Sequence, residues 1–305
     1  VYNTLLLSND ILNHNIEFLV DCKSHLAYEK ISSKNYTVHM QKNENIVEDI
    51  RSLNPDVVIN DRLDTEESYV KDLKSLGIKV INFEDLGPGA KEADIVINAI
   101  YPEKEILPNH YFGHDYFVLR DEFLLSTPPT VSEKVENVLL TFGGVDPNNY
   151  TLKVLESIYS YCIENSINIS VVSGFGYQKY ESLTNFNKIN IYQNAIDISE
   201  HMRKADIIFT SSGRTTYEVA SLNIPAIVLA QNERELSHFF ASEEYGFTNL
   251  GLGYALDNDE ILQVFINLVN NYEARKQISA LMSKVDLHSG RGRTLKLIKS
   301  VVEGV

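Results

Sequence analysis

Short runs of β-branched and aliphatic residues alternate with segments of helical period along almost the whole chain, and the alternation restarts after Pro128-Pro129. Such a rhythm builds strand–helix–strand units, which close as parallel sheets covered by helices; a sandwich or a bundle would show one period alone. In the first half, strands are expected at 16–20, 36–40, 56–60, 79–83, 95–98 and 116–119, with helices at 4–13, 24–31, 44–53 and 66–76. The second half predicts strands at 137–142, 168–173, 189–192, 205–210 and 224–229. Its helices are expected at 150–164, 178–184, 198–204, 215–222 and 233–245. The stretch 262–302 reads as mostly helical, broken at Ser289-Gly290-Arg291-Gly292.

A chain of 305 residues exceeds what one core usually occupies. Adjacent prolines forbid helix and central strand while favouring an extended link, so the boundary is placed at Ser126-Thr127-Pro128-Pro129-Thr130. The expected domains are 1–127 and 128–288, with a terminal helix over 289–305 packing back on the first. In open parallel sheets ligands gather beyond the C-terminal strand ends, so a cleft between the two domains is the expected site.

Lys and Arg number 27 against 42 Asp and Glu, a formal charge of −15, which disfavours nucleic acid and anionic membranes as partners. No apolar run reaches the ~20 residues of a membrane span. Cys22 and Cys162 form neither a C-x-x-C nor a zinc pattern, so a disulfide framework and a structural metal are not expected, and a cytoplasmic protein is. His110 and His114 are four apart, but Gly113 and Pro108 argue against the helix that a two-histidine metal site would need. No cofactor is called for.

The segment Ser211-Ser212-Gly213-Arg214-Thr215-Thr216-Tyr217-Glu218 follows one expected strand and opens a helix. Two readings stand. Small hydroxyl residues and a glycine at a helix N-terminus admit a phosphate onto unpaired N–H groups, with Arg214 as a counter-charge and Glu218 in reach of sugar hydroxyls. The alternative is an ordinary turn capped by Ser212. Gly143-Gly144, after the strand that opens the second half, permits close approach of a ligand or simply a tight turn, with Asp146 starting it and Asn149 as cap. Ser173-Gly174-Phe175-Gly176 repeats that pattern one unit later. All three loops leave the same strand-end edge, which makes them a candidate nucleotide diphosphate pocket. Gln231, Asn232, Glu233 and Glu235 join that edge one strand on, either reading sugar hydroxyls or capping the next helix. In the first half Asp61, Asp64, Glu84 and Asp85 follow strands; Asp61 and Glu84 are the acid–base candidates, and Asp64 suits a helix cap.

Phe142-Gly143-Gly144-x-Asp146, Ser211 to Glu218 followed by Ile224-Pro225-Ala226, Gln231, and Gly290 to Arg293 stand in an order and spacing that resembles one family. It is that of the PseG- and SpsG-like nucleotide-sugar hydrolases: enzymes of the pseudaminic acid pathway and the related spore-coat polysaccharide proteins. The resemblance implies the α/β GT-B architecture, two Rossmann-like open parallel domains facing a central cleft. It further implies UDP on the second domain, with phosphates near Gly144 and Ser211 to Thr216, ribose near Glu218 and the sugar facing the first domain. Bound in this way, a UDP-sugar would be hydrolysed without a metal, or its sugar transferred to an acceptor as in a GT-B glycosyltransferase. Asn60-Asp61 and Asn82 to Gly87 resemble the branch often fused to a cytidylyltransferase domain, so a fused or associated domain of that kind, with this chain as its non-catalytic binding module, is a further expectation. The family's catalytic histidine lies in a G-x-G-H loop after its first strand; no such loop occurs here, and Val1 to Leu7 resembles the helix that follows it. Arg62 stands near where these hydrolases carry an aromatic residue.

Overall fold

The computed structural model describes residues 2–103 and 105–303. Two compact units emerge: one runs to Val118 and resumes at Ser289, the other is Leu119–His288.

The first unit holds a parallel pair, β1 (Glu17–Val20) and β2 (Thr37–Met40), and a parallel sheet of β3 (Val57–Asn60), β4 (Lys79–Phe83), β5 (Ile95–Asn98) and β6 (His110–Phe112) in that order. Alternation along β4 sends Val80 to a cluster with Val47, Ile50, Val70 and Leu73, and Ile81 and Phe83 to a cluster with Leu7, Val118 and Ile298. The second cluster is closed by the helix Gly290–Glu303. That helix explains why the strand expected at 116–119 does not form. Thr294 Oγ1 donates to the Tyr116 carbonyl at 2.9 Å, and Gly290 lies so close to Phe117 that a Cβ there would stand 2.4 Å from its carbonyl oxygen. A helix, not a strand ladder, buries 117–118, and an apolar run alone does not distinguish the two. The ladder is extended instead by His110-Tyr111-Phe112, where no strand was expected.

In the second unit β7 (Asn137–Thr141), β8 (Asn168–Ser173), β9 (Ile189–Gln193), β10 (Ile207–Thr210), β11 (Ala226–Ala230) and β12 (Phe247–Leu252) form one sheet ordered β12-β11-β10-β7-β8-β9. Every neighbouring pair is parallel. Val138, Leu140, Ile169, Val171, Phe209 and Ile227 pack on one face against Val154, Leu155 and Ile158 of the helix Tyr150–Glu164 and against Ile261 and Phe265 of Asn258–Asn270. The helix expected over 233–245 stops at Leu236, and β12 was not anticipated. Phe240 is drawn into an aromatic cluster, stacked 4.1 Å from Tyr217 and beside Tyr245 and Phe247, which a continuous helix could not satisfy. The helical tail breaks before Gly290 and not across 289–292, because Gly290 already belongs to the last helix.

Candidate functional site

The strand order of the second unit locates its crevice. From β7 the chain crosses to β8 and β9 on one side, and from β10 it crosses to β11 and β12 on the other, so the connections diverge between β7 and β10. Beyond the C-terminal ends of two such strands the loops part and leave room for a ligand. The loops that part here are Gly143-Gly144 and Ser211-Ser212-Gly213.

Gly143 has φ of +78°, a conformation that glycine takes without strain, and a Cβ built on either Gly143 or Gly144 would meet nothing within 4 Å. The backbone therefore faces open space. Behind it, Gly174 packs so tightly that an added Cβ would stand 2.4 Å from Gly144 Cα, and the Gly176 N–H donates to the Gly144 carbonyl at 2.9 Å. The β8 loop thus buttresses the β7 loop. Ser173 is buried and bonds the Tyr180 hydroxyl at 2.9 Å, so it anchors this support.

Across the crevice Ser211, Ser212, Thr216 and Glu218 are all buried. Ser212 does not cap the following helix: the N-cap of Thr215–Ser221 is Arg214, without a side-chain cap bond. The Ser212 Oγ is instead a buried hydroxyl with no hydrogen-bond partner among the described residues, as is Thr210 Oγ1 at the end of β10. A buried hydroxyl left without a partner is costly and calls for one. Thr216 Oγ1 turns back to the Gly213 carbonyl at 2.8 Å, and Thr215 opens the helix beside it.

The loop after β11 completes the site. Asn232 caps the next helix, its Oδ1 accepting the Glu235 N–H at 3.0 Å. Glu235 reaches back to accept the N–H groups of Gln231, at 2.9 Å, and of Ser212; burial pushes its carboxyl above the usual range. His238 Nδ1 lies 2.7 Å from the Ser212 carbonyl, and burial, with Arg214 and Arg234 nearby, holds the ring below its usual pKa. Gln231 bridges two loops: its Nε2 donates to Asp146 Oδ1 at 2.9 Å and its Oε1 accepts from Asn148 at 3.0 Å. Asp146, with φ of +46°, also accepts the N–H groups of Tyr150 and Thr151 at 2.9 and 2.8 Å. The cap of that helix is thus the Asp146 carboxylate, whereas Asn149 makes no side-chain cap bond.

The first unit places its candidates differently. Asp61 accepts from Thr4 N at 3.3 Å and Thr4 Oγ1 at 3.2 Å. Glu84 is buried with φ of +54° and accepts the Ile100 N–H at 3.4 Å. Asp85 is buried and takes four donors, from the Thr65 N–H and hydroxyl, Asn82 Nδ2 and the Gly87 N–H, which fastens the β4 loop. Asp64 is not a helix cap, since the cap of Glu67–Ser75 is Glu66; its Oδ1 accepts the Leu86 N–H at 3.3 Å. Among the described residues, no cluster of three or more His, Cys, Asp or Glu could hold a metal ion, and no helix is long and apolar enough to cross a membrane.

The structure adds Arg120 and Glu122, which no motif announced. Arg120 Nε donates to Glu218 Oε1 at 2.7 Å and its Nη1 meets Glu122 Oε1 at 2.7 Å. A lone Arg after an apolar run carries no signal, because its partner lies about a hundred residues away in sequence.

No family model matches the chain. It is 36% identical over 257 residues to the uncharacterized protein MJ1062 of Methanocaldococcus jannaschii, covering 76% of this chain and 53% of that protein. The chain thus spans about half the length of that relative. It is 24% identical over 277 residues to the spore coat polysaccharide biosynthesis protein SpsG of Bacillus subtilis, covering 86% of this chain and 79% of SpsG. Among solved structures, Acinetobacter baumannii MurG superposes with a TM-score of 0.69 at 13% identity, over 98% of this chain and 95% of that one. Anabaena HepE in complex with UDP gives 0.64 at 13% identity, over 99% and 94%. The fold is therefore α/β of the GT-B kind, built from two Rossmann-like parallel units.

Proposed function

We propose that the second unit binds a nucleoside diphosphate sugar, with its pyrophosphate between Gly143-Gly144 and Ser211 to Thr216 and its ribose at Glu218. The single observation that carries this reading is the buried Ser212 hydroxyl, without a hydrogen-bond partner among the described residues, on the loop that parts at the switch point from glycines whose Cβ positions are open. Phosphate oxygens supply the acceptor that the hydroxyl lacks, and backbone N–H groups offset their charge on an otherwise acidic chain. UDP is the favoured nucleotide, supported by the UDP complex of HepE. Similarity to SpsG supports a role in surface polysaccharide biosynthesis.

The reaction proposed is hydrolysis: water attacks the anomeric carbon, the bond to the β-phosphate oxygen breaks, and UDP leaves as an anion held by the loops. Such holding is where positioning and electrostatic stabilisation lower the barrier. Transfer to an acceptor hydroxyl uses the same donor site, and the GT-B fold favours it as the second reading. Calorimetric titration with UDP should give saturable one-site binding, weakened at least tenfold in Ser212→Ala together with Glu218→Ala. No saturable binding by the unsubstituted protein would end the proposal. Product analysis of a UDP-sugar incubation then separates the reactions, since free sugar without acceptor marks hydrolysis.

A further inference from the structure

Glu218 sits in the helix that opens from the Ser211–Thr216 loop and is 4% exposed, a depth at which a carboxylate must be hydrogen-bonded. Arg120 supplies one such bond. Its Nε donates to Glu218 Oε1 at 2.7 Å, while its Nη1 meets Glu122 Oε1 at 2.7 Å and its guanidinium carbon stands 5.0 Å from the centre of the Phe123 ring. Glu122 is itself fixed: Oε2 accepts the Ser199 N–H at 3.0 Å. The serine hydroxyls of Ser126 and Ser199, 3.0 Å apart, tie the same segments together. The guanidinium is thus held by Glu122 and the Phe123 ring, with one donor edge given to Glu218.

We propose that Arg120 is a positioning residue for ribose recognition, orienting the Glu218 carboxylate as an acceptor for the vicinal hydroxyls. The inference rests on the reading that the second unit takes a nucleoside diphosphate with its ribose at Glu218. An ionised carboxylate only accepts, and a vicinal diol offers two donors, so the pair discriminates a ribose from its deoxy forms. Without Arg120, Glu218 Oε1 loses the donor that fixes it, and the carboxylate turns away from the hydroxyls.

Calorimetry with UDP and with 2′,3′-dideoxyuridine diphosphate tests this. The unsubstituted protein should prefer UDP by about ten- to a hundredfold, the value of charge-assisted hydrogen bonds. In Arg120→Met the preference should fall close to unity, with both ligands bound about as the dideoxy form is by the parent; Arg120→Lys should lie between. Should Arg120→Met not fold, the preference of Arg120→Lys decides, and one unchanged from the parent refutes the inference. A loss of affinity by the same factor for both ligands, leaving the preference intact, marks a merely structural role and also refutes it. A parent protein that binds UDP without preferring it overturns the ribose placement at Glu218 and Arg120's role with it, whereas one that binds neither overturns the nucleotide reading of the second unit altogether.

Discussion

Glu235 brings a carboxylate to the N–H of Ser212, the loop where a pyrophosphate is proposed to lie, and burial raises its pKa above the ordinary 4.5. A raised folded-state pKa means that the folded protein binds the proton more tightly than the unfolded chain. Its contribution to stability is greatest below 4.5 and is lost as pH rises through the folded value. The same ionisation places a negative charge beside the ligand's phosphates. UDP affinity of the parent should therefore weaken as pH rises through the window above 4.5, more steeply than in Glu235→Gln, which retains the titrations of His238 and of the nucleotide itself. Calorimetry of both proteins over a pH series is the measurement, and equal slopes would dismiss the effect. Glu235 was visible in the sequence as a polar residue at a strand end, but its contact with Ser212 was not. Asp85 shows the opposite limit: it too follows a strand, and its four donors assign it to holding a turn.

The β7 and β8 loops carry two glycines with opposite surroundings. A methyl at Gly174 would collide with the Gly144 backbone at 2.4 Å, whereas one at Gly144 would enter open space. Gly174→Ala should cost about 1–3 kcal/mol in denaturant unfolding, as overpacking does. Gly144→Ala should stay within about 0.5 kcal/mol of the parent yet bind UDP several-fold more weakly, because its methyl fills ligand space. Equal UDP affinity in Gly144→Ala and the parent would move the phosphate elsewhere. Most strands were legible because parallel strands are buried on both faces and read as continuous apolar runs. The elements misread were those whose burial comes from distant partners: 116–119 under the terminal helix, and Phe239-Phe240 in the aromatic cluster.

At the scale of the whole molecule, two compact units imply two cooperative transitions. The helix Gly290–Glu303 belongs to the first unit: Ile298 joins the cluster of Leu7, Ile81 and Phe83, and Arg291 pairs with Asp10 and donates to the Leu6 carbonyl at 3.1 Å. Deleting residues 289–303 should lower one calorimetric transition and leave the other in place. UDP at a hundred times its Kd should raise that other transition by about 2.7 kcal/mol of stability. If one transition responds to both, the division of labour between units is wrong. By itself the sequence determined the α/β class, most of the parallel strands of both units and the small-residue loops, since these follow from periodicity and backbone freedom over a few neighbouring residues. Only the tertiary structure decided the partners of the side chains: Arg120 with Glu218, Gln231 with Asp146, Glu235 with Ser212. Charge and hydrogen-bond pairing depend on distance in space, and no local pattern records which segments the sheet order will bring together.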